Sequence, residues 1–253
     1  MHGILEWWHG TSLGAKGILE WWREAFQTFG EKFSQNFLEA GRWRLLADGF
    51  LTTLEITIGA VLVGLLIGFV VAVVRTTHDK TGRLKFLNFL AKVFLTVIRG
   101  TPTMVQLLII YFVIFASINV DKLLVAVIAF GINSGAYTAE IIRAGLMAVD
   151  KGQYEAGASL GLNYYQTMTR IIVPQAFKTI LPALGNELIV LLKETSISGY
   201  IAMQDLTKGG DIIRSQTYDA FMPLLAVAAI YLLCVCFLSW CVTRMERRLK
   251  RNE

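Results

Sequence analysis

EAGASLGLNYYQTMTRIIVP, residues Glu155–Pro174, is the stretch from which the rest of the chain is read. It is moderately polar and helix-forming, yet it lies between segments that are almost continuously apolar. A membrane protein that keeps such a segment in water has a use for it, and a docking surface for a soluble partner is the simplest one.

The flanking composition supports the membrane setting. The chain is 55% hydrophobic and only 17% charged, with a mean hydropathy of +0.53, which is apolar for a soluble domain. Lys and Arg exceed Asp and Glu by 24 to 19, but the surplus gathers at the ends of apolar segments, so it reads as topology and not as a nucleic-acid face. Cys234, Cys236 and Cys241 fall in the last apolar segment and read as inert membrane thiols. No His-Glu-x-x-His or phosphate-loop signature occurs, so the zinc-protease and P-loop nucleotide-binding chemistries are missing from the motif inventory. The expectation is a non-catalytic chain without a cofactor or metal of its own, driven by an energy source elsewhere.

Outward from the central stretch, five spans are expected, at about 50–74, 103–117, 123–142, 177–195 and 221–242. Residues 1–47 form an N-terminal amphipathic arm. It repeats Gly-Ile-Leu-Glu-Trp-Trp at 3–8 and 17–22 and carries Ile18, Trp22, Phe26, Phe29, Phe33 and Phe37 at helical spacing, the pattern of an interfacial anchor. The acidic residues among its aromatics argue against a secretory signal. Residues 86–98 read as an interfacial helix that breaks at Arg99-Gly100-Thr101-Pro102 before the second span. Two basic clusters, Arg75 to Lys85 and Arg244 to Arg251, the second running from the end of the last span into the 245–253 cytoplasmic tail, set the orientation: N-terminus outside, C-terminus in the cytoplasm. Five spans agree with both ends, and they place the 150–172 loop in the cytoplasm.

Polar residues at membrane depth are expensive and mark either a route or a packing contact. Asn133, Tyr137 and Glu140 in the third span and Asn186 and Glu187 in the fourth are the candidates for a substrate pathway, with interhelical bonding as the alternative for each.

The loop carries a more specific signal. Glu155-Ala156-Gly157, then Gly161, then Ile171-x-Val173-Pro174 resembles the EAA loop of ATP-binding-cassette importer permeases, with Gly157 and Val173 as departures. Arg99-Gly100-Thr101-Pro102, Ala136 to Glu140, Ser159 to Leu162 and Lys193 to Ser196 resemble the polar amino-acid branch of the histidine, glutamine and arginine type, over about residues 48–244. The resemblance implies an all-α integral membrane protein with the five-helix core of type I (MetI-like) importers. It implies a permease subunit that works by alternating access in the cytoplasmic membrane of a bacterium, paired with an identical or related second permease. Its implied partners are a cytoplasmic ATPase, which binds ATP and magnesium, an extracytoplasmic binding protein, a polar amino acid and membrane lipid. Glu155, Ala156, Gly157, Leu160, Gly161 and Pro174 are its implied ATPase-coupling residues. The reading expects Ala156, Leu160 and Tyr164 on one helical face, with Gly157 and Gly161 allowing a partner surface close approach. A secondary transporter or channel is the alternative; it predicts an inverted repeat and intramembrane ion ligands in both halves, and neither pattern is present. A structural membrane scaffold would need no polar residues at membrane depth.

Overall fold

The computed structural model describes residues 22–24 and 26–250. The repeated Gly-Ile-Leu-Glu-Trp-Trp segments, Trp22 apart, lie outside them.

Helix α1, Trp43–Thr81, is 39 residues long, about 58 Å at 1.5 Å per residue and roughly twice the hydrocarbon thickness. The expected 50–74 span is its middle. Its first turns pack against helix α8, Leu206–Thr217, and its last turns carry Arg75, His78 and Lys80 beyond the apolar run. Gly82, at φ 66°, stops it by returning its N–H to the His78 carbonyl at 2.8 Å, a left-handed end that glycine adopts without a Cβ penalty.

Helix α2, Lys85–Gly100, ends on extended Thr101 and Pro102. Helix α3, Thr103–Ile109, continues through a π turn at Ile110–Ile114 and meets α2 at a 109° bend. Helix α4, Lys122–Met147, is capped by Asp121, whose carboxylate accepts from the Leu123 N–H.

The core of the fold is the α1–α4 pair. Small residues face one another across it: a Cβ on Gly64 would meet Ser134 at 3.0 Å, one on Gly131 would meet Val63 at 2.6 Å, and one on Gly135 would meet Ile67 at 2.8 Å. Lipid tails are as apolar as leucine, so backbone proximity and dispersion hold such a pair. Ile56, Ala60, Val125, Ala126 and Phe130 fill the layer above, fully or almost fully buried.

Helix α5, Lys151–Ser159, and helix α6, Tyr164–Thr167, form the central stretch; a π turn at Met168–Ile172 leads into helix α7, Val173–Glu194. A 3-10 segment, Thr195–Ile201, then leads to α8, and helix α9, Phe221–Lys250, closes the chain. Of the described helices, α1, α4 and α9 are long and apolar enough to cross a membrane, and α2 with α3 adds a fourth if the bent pair is one span. Helix α7 stands outside that set because Lys178, Asn186, Glu187 and Lys193 interrupt its apolar residues.

The arm does not stop at residue 47 as a separate body. Residues 26–33 are helical with Phe26, Phe29 and Phe33 exposed, but Asn36 and Phe37 are buried. Phe37 and Leu46 share a core with Leu206, Ile213, Met222 and Val227. Thr217 donates its hydroxyl to Asn36 Oδ1 at 2.7 Å, and Asn36 Nδ2 donates to Asp219 at 3.2 Å.

Candidate functional site

The Glu155–Pro174 stretch folds as a tight helical corner. Asp150 caps α5 by accepting from the Gly152 N–H at 2.6 Å. The far end closes with paired bonds, Gly161 N–H to Ala158 carbonyl at 2.9 Å and Leu162 N–H to Gly157 carbonyl at 3.0 Å, the Schellman pattern with Gly161 as the left-handed residue at φ 74°. Asn163 then opens α6 with a capping box: its Oδ1 accepts from the Gln166 N–H at 2.9 Å while Gln166 Oε1 accepts from the Asn163 N–H at 3.0 Å. A helix stop and a helix start are thus joined with their end groups satisfied.

This geometry changes the expected placement of five residues. Gly157 does not open a path for a partner: it is buried, and a Cβ there would meet the Thr167 side chain at 2.6 Å, so its missing side chain lets α5 lie on α6. Gly161 has open space around it and serves the backbone turn. Ala156, Leu160 and Tyr164 do not share one helix, because α5 ends at Ser159, yet all three are exposed, Leu160 at 76%. Glu155 is also exposed, and Pro174 stands in the first turn of α7, where a missing N–H costs nothing.

The corner is tied to the rest of the chain on one side. Lys80 Nζ sits 4.2 Å from the centroid of the Tyr154 ring. Arg143 on α4 pairs with Asp79 on α1 at 3.3 Å, and Gln175 donates to Gln153 at 3.1 Å. The last turn of α1 and the start of α7 therefore meet α5 directly, and the end of α4 joins them through Asp79. Burial raises the Tyr154 phenol above its ordinary value, with the neighbouring Tyr164 adding to it.

The five pathway candidates divide among three places. Asn133, 2% exposed, donates to Gln106 Oε1 at 3.0 Å and faces the α2–α3 bend. Gln106 Nε2 in turn donates to Thr101 Oγ1 at 2.7 Å and to the Ile98 carbonyl at 2.6 Å, satisfying the backbone that the Gly-Thr-Pro break leaves open. Tyr137 lies 5.5 Å from the Arg99 guanidinium, and Glu140 pairs with Arg99 at 4.0 Å and with Arg143 at 3.8 Å. These three hold the bend in place. Asn186 is exposed on α7.

Glu187 occupies a different place. Ser134 donates its hydroxyl to Glu187 Oε1 at 3.1 Å, and both line a cavity of about 360 Å3 together with Thr138, Leu188, Leu238 and Cys241. Ser134 and Thr138 from α4 and Glu187 from α7 are the polar groups of an otherwise mostly apolar lining. The residues that sequence reasoning passed over are Gln106, whose only signal is a lone amide in an apolar run, and Lys80 and Tyr154, whose pairing bridges 74 positions in sequence.

The model of a family described as binding-protein-dependent transport system inner membrane component matches residues 64–251. The chain belongs to that family. The permease is 39% identical over 209 residues to a putative glutamine transport system permease protein of Rickettsia typhi, covering 82% of this chain and 94% of the relative. It is 36% identical over 210 residues to an arginine transport system permease protein of Bacillus subtilis, covering 82% and 94%. Among solved structures it resembles a chain of an amino acid ABC transporter crystallised with histidines, at a TM-score of 0.76 and 43% identity, covering 84% of this permease and 98% of that chain. A chain of an inward-facing methionine ABC transporter shares the fold at a TM-score of 0.71 and 20% identity, covering 83% and 98%. The fold is therefore that of the type I importer permeases, in a multi-pass inner-membrane component.

Proposed function

We propose that this chain is the membrane subunit of an ATP-driven importer for a polar amino acid, and that the α5–α6 corner couples it to a separate ATPase. The permease itself is non-catalytic; ATP and magnesium belong to the ATPase. The observation that best supports coupling is the corner's construction. Its caps fix the backbone, its inner side is bound to α1 and α7, and its outer side presents Glu155, Ala156, Leu160 and Tyr164 to solvent. A motion imposed on it passes directly to α1 and α7, and to α4 through the Arg143–Asp79 pair, as a rigid displacement.

The 48–244 transport unit pairs with an identical or related permease and receives its substrate from an extracytoplasmic binding protein. The basic ends of α1 and α9 support a cytoplasmic corner, a cytoplasmic C-terminus and an outside N-terminus. Helix α7 completes the set of five spans, with Glu187, Ser134 and Thr138 lining the route; its polar residues suit a helix turned toward a protein interior. Names of relatives that carry glutamine and arginine support a polar amino acid as cargo.

Uptake into proteoliposomes tests the proposal. Permease with co-purified ATPase, ATP inside and a binding protein outside should accumulate labelled amino acid; permease alone should not. Equal uptake without ATPase or ATP would favour a secondary transporter or channel.

A further inference from the structure

Three cations converge where the end of α1, helix α2 and α4 meet. Arg75, Lys92 and Arg99 line a cavity of about 430 Å3 with Thr96 and Glu140. Glu140 is already shared between Arg99 and Arg143. Among the described residues, Arg75 and Lys92 have no acidic partner, and Arg75 Nε is buried without a hydrogen-bond acceptor. A guanidinium N–H out of water and without an acceptor is costly, and the uncompensated charges of Arg75 and Lys92 favour an anion in this cavity.

The circumference of α2 indicates which anion. At 100° per residue, Asn88, Ala91 and Leu95 form its buried face. Lys92, Thr96 and Arg99 form the adjoining face, which lines the cavity. Next around the helix comes an exposed apolar stripe of Phe86, Phe89, Val93 and Val97. The cation face therefore borders directly on surface that suits acyl chains. A soluble anion would use the first of these features and gain nothing from the second. A phospholipid uses both.

We infer that Arg75, Lys92 and Arg99 bind the phosphate of an anionic membrane phospholipid whose acyl chains lie along Phe89, Val93 and Val97. The chemistry is charge-assisted hydrogen bonding to phosphate oxygens, with Arg75 and Arg99 offering planar donor pairs and Lys92 a point charge. Glu140 stands at the cavity wall, but Arg75, Lys92 and Arg99 outweigh it, so the lining stays net positive toward the headgroup. A lipid held there also bears on the 109° bend between α2 and α3, because Arg99 both faces the cavity and stacks on Tyr137.

The test is native mass spectrometry of the assembled transporter, titrated with phosphatidylglycerol or phosphatidylcholine of matched acyl chains. Wild type should bind phosphatidylglycerol at least about fivefold more tightly, and Lys92→Gln, at an exposed position, should lower that affinity about fivefold, with a further loss on adding Arg75→Gln. Arg248→Gln, in the separate basic tail of α9, should leave it unchanged. Equal affinity in wild type and Lys92→Gln would overturn the assignment, and so would an equal loss from Arg248→Gln, which would mean unspecific attraction. Displacement of the lipid by an equimolar soluble glycerol phosphate would overturn the lipid in favour of a free anion. Absence of lipid from the assembled transporter would show that protein covers this face.

Discussion

The Lys80 ammonium lies 4.2 Å from the ring centroid of Tyr154, joining the last turn of α1 to the α5–α6 corner. Such a contact at an exposed site contributes about 0.5–1 kcal/mol, too little to hold the fold but enough to bias the angle of a short helix. Tyr154→Ala and Lys80→Ala should each leave the amount of inserted permease unchanged and lower uptake per ATP hydrolysed by about two- to fivefold. The double variant should do no worse than either single one. Additive losses would separate the two residues.

Gly161 is a backbone requirement and not a spatial one. Its φ of 74° is costly for a residue with a Cβ, while the space around it is open. Gly161→Asn should therefore be tolerated, and Gly161→Val should cost about 1–2 kcal/mol at the corner and weaken ATPase association. Measured co-purification that is equally poor in both variants would point to a steric contact with the partner instead.

Gly68 makes the opposite case. A Cβ there would run into the Thr138 side chain, and the Ala139 backbone lies 3.0 Å away. Gly68→Val should push α1 from α4 and destabilise the permease by about 1–3 kcal/mol, seen as a lower thermal midpoint in detergent. Gly82→Ala, with open space but φ 66°, should cost less.

Asp205 gives a pH dependence of definite sign. It caps α8, accepting from the Lys208 N–H at 2.8 Å, but it is fully buried and its second oxygen has no partner. Burial raises its carboxyl from 3.8 to about 6, against the lowering effect of its hydrogen bonds. The folded state thus holds a proton that the unfolded chain has released, so this group's contribution is fully present below about pH 4 and is lost as pH rises through 6. The full span is of order 3 kcal/mol. Asp205→Asn keeps the cap without the charge. Thermal melts from pH 4 to pH 7 should show wild type losing stability relative to Asp205→Asn over that interval; parallel curves would contradict a buried, raised carboxyl.

Much of the fold was legible in the sequence because periodicity and charge report on environment. The apolar runs marked α1, α4 and α9, and Gly100-Thr101-Pro102 marked the bend, since proline and glycine end helices for local reasons. Partners are another matter. Asn133 and Glu187 looked alike as polar residues at depth, and only three-dimensional placement separates a residue that satisfies the bend through Gln106 from one that faces a cavity with Ser134. Gly157 was recognisable as a place where something approaches closely, but the sequence carries no sign that the approaching group is Thr167 of the same chain.

The central claim is that the exposed tip of the α5–α6 corner engages the ATPase, and Leu160 tests it most directly because its side chain is 76% exposed in the isolated permease. Leu160→Asp should insert and melt like wild type while ATPase co-purification and ATP-dependent uptake both fall at least about tenfold, the effect of burying an unpaired charge in an apolar contact. Wild-type co-purification and uptake in Leu160→Asp would contradict the account.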